Sequence, residues 1–332
     1  MSRHVLALIA AIGACVASVM PGAADPAIVY SVGGKFDGSF NESAFAGVER
    51  YKAETGASVR EFELGRDSQS LQTLRNFASR GGQPVVAIGF NQASAVAAAA
   101  SEFPGTGFAI IDMVVDAPNV ASYVFKEHEG AYIAGLLGAM ASTSGTIGFV
   151  GGMDIPIIRR FLCGYRQGAA AADPTVKVVF NMAGDTPAAF ADPARGAELA
   201  RSQVQKGADV IIQAAGGTGI GVLQAAADAG ILGIGTDSNQ NGLHPGQVLT
   251  SIRKRVDNAV YDSFMSARDD QFTPGIRVLG LAEGGMDWVI DDNNRSLISA
   301  NMKAAADRAV EAISSGALKV HDVVADGPCP IS

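Results

Sequence analysis

The sequence predicts an α/β protein of two Rossmann-like lobes, each built around a parallel sheet. Three observations carry that expectation. Short runs rich in Val, Ile and Phe alternate with Ala-rich stretches along most of the chain. Several of these runs are apolar without a break, the pattern of strands buried on both faces of a parallel sheet. Eight such units exceed what one compact sheet of ordinary size holds, and the pattern restarts with a Gly-rich strand at Thr146. Composition agrees: 48% apolar residues supply two cores, and 40 glycines suit tight turns and close helix packing.

The predicted strands are Ala27–Val32, Val59–Leu64, Val85–Phe90, Phe108–Asp112, Thr146–Val150, Val176–Asn181, Ala208–Ala214 and Leu232–Thr236. Helices are expected over Ser43–Thr55, Ser68–Ser79, Ala93–Glu102, Gly130–Ser142, Ile157–Ala172, Pro193–Lys206 and Gly219–Ala229, with an interlobe strand at Val248–Ile252. No long Pro/Ser linker divides the lobes, so strand-like crossings that can hinge are expected between them.

Ahead of the first strand, "MSRHVLALIAAIGACVASVMPGAADP" places Arg3 before an uncharged run from Val5 to Met20, then Pro21 and Gly22-Ala23-Ala24. That is the order of a secretory signal peptide over residues 1–24, with a mature chain beginning at Asp25 in the periplasm. The minority alternative is a lipoprotein anchored at Cys15, because a small residue precedes that cysteine. The run falls short of the ~20 residues that span a bilayer. A net charge of −8 without basic clusters argues against nucleic acid and anionic membrane as partners. Cys163 and Cys329 could pair in an oxidising compartment, but two cysteines show no framework and are read as structural or free.

Ligands of open α/β sheets bind at the carboxyl ends of strands. Those ends carry Phe36, Asp37, Ser39, Phe40 and Asn41 after the first strand, Asn91 and Gln92 after the third, and Asp112 after the fourth. In the second half they carry Gly151-Gly152-Met153-Asp154, Gly216-Gly217-Thr218-Gly219 and Asp237-Ser238-Asn239-Gln240. The stretch "AAGGTGIGVLQAA" misses the third glycine of a dinucleotide fingerprint by one position, so no cofactor is expected. His128, His244 and His321 form no metal motif and read as solvated or capping residues, and no Gly-x-Ser-x-Gly elbow is present. Asp112 and Asp237 could form an acid/base pair, but placed in opposite lobes they suit hydroxyl recognition better. The site therefore reads as binding, not catalytic. Phe40 is read as a ligand contact; Phe36 is equally a ligand contact or a hydrophobic staple at the helix start. Trp288 is read as packing. Arg253 and Lys254 have a bland reading as a solvated helix start.

These residues resemble the basic membrane protein (Bmp/PnrA-like) family of ABC transporter substrate-binding proteins. Five ordered blocks carry the resemblance: "VGGKFDGSFNESAFAGV"; "FAIID" with "NVASYVFKEHEGAYIAGLLGAMAS"; "GTIGFVGGMDIPIIRRFLCGYRQGA"; "GADVIIQAAGGTGIGVLQAA"; and "LTSIRKRVDNAV". The resemblance implies a type I periplasmic-binding-protein fold with three crossings, closing on a purine nucleoside, nucleobase or related small molecule for an ABC permease. It implies base stacking on Phe40 with Asn41 close by, a carboxylate role for Asp112, ribose hydroxyls on Asp237, and contacts from Gly217 and from Lys254 or Arg253. Asp37 and Asn91 complete the expected ligand set. Lobe 1 is expected over 25–124 plus about 250–277, lobe 2 over 125–249 plus about 278–332, in a monomer. Ser31, Gly38, Ile212, Gln213 and Ser238-Asn239-Gln240 depart from the family pattern and bear on ligand identity, not fold. A Rossmann-type nucleoside- or sugar-processing enzyme and a ligand-sensing receptor without transport are the alternatives.

Overall fold

The structure, a computed structural model, describes residues 25–331, so the expected signal peptide and Cys15 lie outside it. The first lobe runs β1 (Ala27–Tyr30), α1 (Phe40–Thr55), β2 (Arg60–Glu63), α2 (Ser70–Ser79), β3 (Val85–Ile88), α3 (Ala93–Glu102), β4 (Phe108–Ile111) and β5 (Val120–Phe125). The second follows with α4 (Glu127–Ala141), β6 (Thr146–Met153), α5 (Pro156–Ala172), β7 (Lys177–Gly184), α6 (Pro193–Gln205), β8 (Val210–Ala214), α7 (Thr218–Asp228), β9 (Leu232–Asp237) and β10 (Val248–Lys254). Next come α8 (Val256–Arg268), β11 (Gly275–Leu279), β12 (Met286–Trp288) and α9 (Ala300–Ser314).

Among the described residues there are two six-stranded sheets, ordered β11-β5-β4-β3-β1-β2 and β12-β10-β9-β8-β6-β7. Neighbours are parallel except β12, which lies antiparallel on β10. Every residue of β1, β3 and β4 is buried, as unbroken apolar runs between two helical layers require. The two orders match position for position: β4 corresponds to β9 and β5 to β10.

Three segments connect the lobes. The chain leaves the first sheet after Phe125 and enters α4, which packs on α5 of the second lobe. That contact is backbone against backbone: a Cβ on Gly135 would stand 1.9 Å from the Tyr165 carbonyl oxygen, and one on Gly168 1.9 Å from that of Tyr132. It returns after Lys254 into α8, which packs on α1, and crosses again after Leu279. The amides of Lys126 and Arg255 donate to the carbonyls of Leu279 and Gly285, tying the crossings together.

The expected division at residue 250 falls inside β10, a second-sheet strand whose Arg253 pairs in register with Asp237 of β9. The return crossing therefore begins after Lys254, and the first sheet keeps the chain through Leu279. β5, β11, β12 and α9 have no counterpart among the predicted elements. β5 carries Ser122 in its middle, β11 is a largely exposed edge and β12 has three residues, so none presents a clean apolar run. Cys163 of α5 and Cys329 form a disulfide, with Cα atoms 5.7 Å apart, which ties the C-terminal segment to the second lobe.

Candidate functional site

The carboxyl ends of both sheets face a cleft between the lobes, about 720 Å³ when the open solvent at its mouth is counted. Its walls include Phe40 and Phe90 from the first lobe and Phe161, Phe190 and Ile158 from the second. Asp37, Asn41, Asn91, Asp112, Asp237 and Lys254 also line it. The first lobe's Phe90 meets the second lobe's Phe190 edge-on, ring centroids 6.4 Å apart.

The loop after β1 is shaped by its own polar groups. Asp37 accepts the backbone N–H groups of Ser39, Asn41 and Glu42 at 2.8, 3.0 and 3.1 Å and the Asn41 amide at 3.1 Å, capping the start of α1. Asn41 Oδ1 in turn accepts from the Ser31 amide and hydroxyl. Both residues line the cleft, yet these bonds are spent on the loop, which they fix so that the Phe40 ring faces inward. Gly38 has φ +69°, and a Cβ there would stand 2.7 Å from Ile220 Cδ1 of the other lobe. Glycine adopts this left-handed conformation without strain and leaves room for the Ile220 side chain. Phe36 is 71% exposed and packs edge-on against Phe45 at 5.1 Å, so it supports the helix start and is absent from the cleft lining.

Lys254 lies at the centre of the site's electrostatics. Its ammonium sits 2.6 Å from Asp112 and 2.9 Å from Glu127, with both carboxylates buried, and it lies over the rings of Phe40 and Phe125 at 5.4 and 5.0 Å. Burial disfavours the ammonium, but Asp112, Glu127 and Asp237 together outweigh that and hold Lys254 above its ordinary range. Burial pushes Asp112 and Glu127 up, with Lys254 opposing. Asp237 accepts the Ser39 hydroxyl of the opposite lobe at 2.8 Å. Burial raises it to about 6, against the pull of Lys254 and Ser39. Among the described residues, no hydrogen bond reaches Asp237 Oδ1 or Asp112 Oδ2, so each carboxylate keeps an acceptor toward the cleft.

Asn91 lines the cleft while its amide donates to Asp67 at 2.6 Å. Gly217 caps α7 beside the backbone of Phe190 and Asp37, and it is Gly216, φ +56°, that borders the cleft. Arg253 points away, paired with Asp287 at 2.6 Å, while Lys254 is no solvated helix start but among the most buried residues. His128 is buried too, against the expectation of a solvated or capping role, because α4 packs its first turn onto α5. Sequence reasoning missed Phe90, Phe161, Phe190 and Glu127. Phe90 was visible as the last residue of a predicted strand; Phe190 sits in a short 3₁₀ turn, Pro187–Phe190, without periodicity. Among the described residues no cluster of His, Cys, Asp and Glu is arranged to hold a metal, and no helix is long and apolar enough to cross a membrane.

Comparisons with known proteins agree with this architecture. Residues 26–320 match the Bmp family, described as ABC transporter substrate-binding protein PnrA-like. The chain is 32% identical over 304 residues to the ABC transporter nucleoside-binding protein BmpA of Lactococcus lactis, covering 85% of this chain and 86% of that protein. It is 32% identical over 274 residues to basic membrane protein D of Borreliella burgdorferi, covering 80% and 79%. A crystal structure of an ABC transporter solute-binding protein from Aeropyrum pernix superposes with a TM-score of 0.82 at 27% identity, covering 90% of this chain and 93% of that one. The chain belongs to the Bmp family of PnrA-like ABC transporter substrate-binding proteins.

Proposed function

We propose that this protein binds a purine nucleoside, or a nucleobase or related small solute, between its lobes and hands it unchanged to an ABC permease after export through its N-terminal leader to the periplasm. The observation that carries the ligand class is the pairing of flat apolar walls with two carboxylates from opposite lobes. Phe40, Phe90 and Phe190 offer faces and edges to a planar base, and Asp112 and Asp237 each keep an acceptor for a hydroxyl or N–H donor. The nucleoside-binding name of the Lactococcus relative supports the same reading. Phe40, Asn91, Asp112, Asp237 and Lys254 are the proposed contacts; Asp37, Asn41 and Gly217 hold the loops that present them.

Binding without turnover follows from how the charged groups are held. A lysine kept cationic by three carboxylates is no nucleophile, and Asp112 and Asp237 are each fixed by a partner. Calorimetry with inosine, adenosine and ribose, paired with chromatography of the recovered ligand, tests both halves. Saturable binding with intact nucleoside is expected. Cleavage in proportion to protein concentration would overturn the binding-only reading, and binding of ribose but no nucleoside would overturn the ligand class. The same complex should have a smaller radius of gyration by small-angle scattering if binding draws the lobes together.

A further inference from the structure

Behind the cleft the buried charges do not balance locally. Asp112 at the end of β4, Glu127 at the start of α4 and Asp237 at the end of β9 surround one ammonium, that of Lys254. Lys254 reaches Glu127 Oε1, and the second oxygen, Oε2, is buried without a hydrogen bond. Arg160 of α5 brings a guanidinium nitrogen to 3.6 Å from that oxygen. Arg160 is itself oriented from the far side: its Nε donates to Asp322 at 2.8 Å. Asp322 belongs to the C-terminal segment, which two hydrogen bonds between Gln167 and the His321 backbone and the Cys163–Cys329 disulfide hold against α5.

We infer that Arg160, oriented by Asp322 of the anchored C-terminal segment, is a positioning residue of the cleft. It supplies the second positive charge that keeps Glu127 ionised, so that Glu127 holds Lys254, and Lys254 holds Asp112, where the ligand meets them. The C-terminal segment is then part of the binding machinery through its effect on Arg160, although none of it lines the cleft. The inference rests on the cleft being the ligand site. Its geometry is a chain of charges, Asp112, Lys254, Glu127, Arg160 and Asp322, spanning both lobes and the tail. His128 of α4, buried with an unpaired Nδ1 and under the charges of Asp322, Glu127, Arg160 and Lys126, is a further titratable group beside this chain, as is Asp237 at its cleft end. Removing Arg160 leaves three carboxylates against one lysine, and the expected response is proton uptake by Glu127.

The test uses the purified mature chain and three variants: Arg160→Gln, Arg160→Lys, which keeps the charge, and Asp322→Asn, which removes the orienting partner. Carbon-13 NMR of glutamate carboxyls in ligand-free protein should place the Glu127 midpoint higher in Arg160→Gln by about one pH unit. Arg160→Lys should restore most of that shift. Inosine affinity at pH 7, by calorimetry, should fall roughly tenfold in Arg160→Gln, several-fold in Asp322→Asn and little in Arg160→Lys, the order that loss of positioned charge predicts. An unmoved Glu127 midpoint overturns the inference whatever happens to affinity, and a moved midpoint with parent-like affinity overturns the link to the ligand. If inosine binds no form, parent included, the ligand reading fails, and the ligand-free titration still decides what Arg160 does.

Discussion

The ends of β4 and β9 are the same place in two lobes, and they solve the same problem with different chemistry. Each ends in an aspartate whose backbone turns into the left-handed region, φ +71° at Asp112 and +68° at Asp237, which aims the carboxylate along the strand and into the cleft. Each is then tied to the opposite lobe's sheet or loop: Asp112 by the ammonium of Lys254 at 2.6 Å, Asp237 by the hydroxyl of Ser39 at 2.8 Å. One tie is charged and sits beside a crossing; the other is neutral and comes from a loop. The repeated backbone device fixes where the carboxylates point. Their partners set how strongly each carboxylate holds its charge and how much is lost when a partner is removed.

The largest break in this comparison is expected on the charged side. Lys254→Met removes the ammonium that Asp112 and Glu127 share, leaving Asp112 without its ion-pair partner and Glu127 with the more distant Arg160 alone. Breaking a buried ion pair by deleting one partner costs about 3–5 kcal/mol, because the remaining charge has neither water nor a counter-ion. Denaturant unfolding should show a loss of that order, and ligand binding should fall with it. A loss below about 1 kcal/mol would mean that water reaches the carboxylates and that the charged tie is no stronger than a surface pair.

On the neutral side the expected effect is on affinity and its pH dependence. Asp237→Asn keeps the shape but exchanges a charged acceptor for a neutral one, and a hydrogen bond to a charged group is worth about 1.5–3 kcal/mol, roughly ten- to a hundredfold in nucleoside affinity. Burial raises Asp237 to about 6, so the parent should lose affinity as pH falls through 6, and the variant should lack that step. Stability runs the other way. The folded protein binds this proton more tightly than the unfolded chain, so Asp237's contribution to the fold is present below about pH 4 and is lost as pH rises to about 6. Calorimetry across pH 5–8 on both proteins reads the step, and a parent curve identical to the variant's would assign it to another group.

Much of this was legible in the sequence because it rests on local signals. Unbroken apolar runs gave the central strands, and the rule that ligands gather at strand ends pointed to Phe40, Asp112 and Asp237. Lys254 was indicated by family resemblance alone, since a lone lysine before a helix looks solvated until β10 is seen to run through it into the second sheet. Glu127, Arg160 and Asp322 were out of reach: their relation depends on packing α4, α5 and the tail together, a long-range fact without periodicity. Asp37 and Asn41 were expected as ligand contacts, and their work inside the loop is visible only in the bonds they make.

Phe40 asks whether the two carboxylates act alone or against a shared wall. Its ring lies under Lys254 and borders the cleft, so Phe40→Ala should remove stacking worth about 1–3 kcal/mol and weaken nucleoside binding at least about fivefold. The loss should be the same at pH 5 and pH 8 if the ring serves both ties equally. Titration calorimetry at the two pH values separates this from an effect routed through Asp237, which would shrink at the lower pH.

The smallest expected effect belongs to Phe36, and it sharpens the comparison by perturbing the loop without touching either aspartate. The loop carries Ser39, the neutral partner of Asp237, so a loop that depended on Phe36 for its shape would transmit the change to that hydroxyl. The ring is 71% exposed and meets the edge of Phe45 and the ammonium of Lys35, whereas the loop is held from inside by Asp37 and Asn41. Exposed aromatic contacts of this kind are worth about 0.5–1 kcal/mol. Phe36→Ala should therefore lower unfolding stability by no more than about that amount, leaving nucleoside affinity and its step near pH 6 at parent values. A displaced step would show that the Ser39 tie is set by the surface staple, and would make the neutral side of the cleft the more fragile of the two.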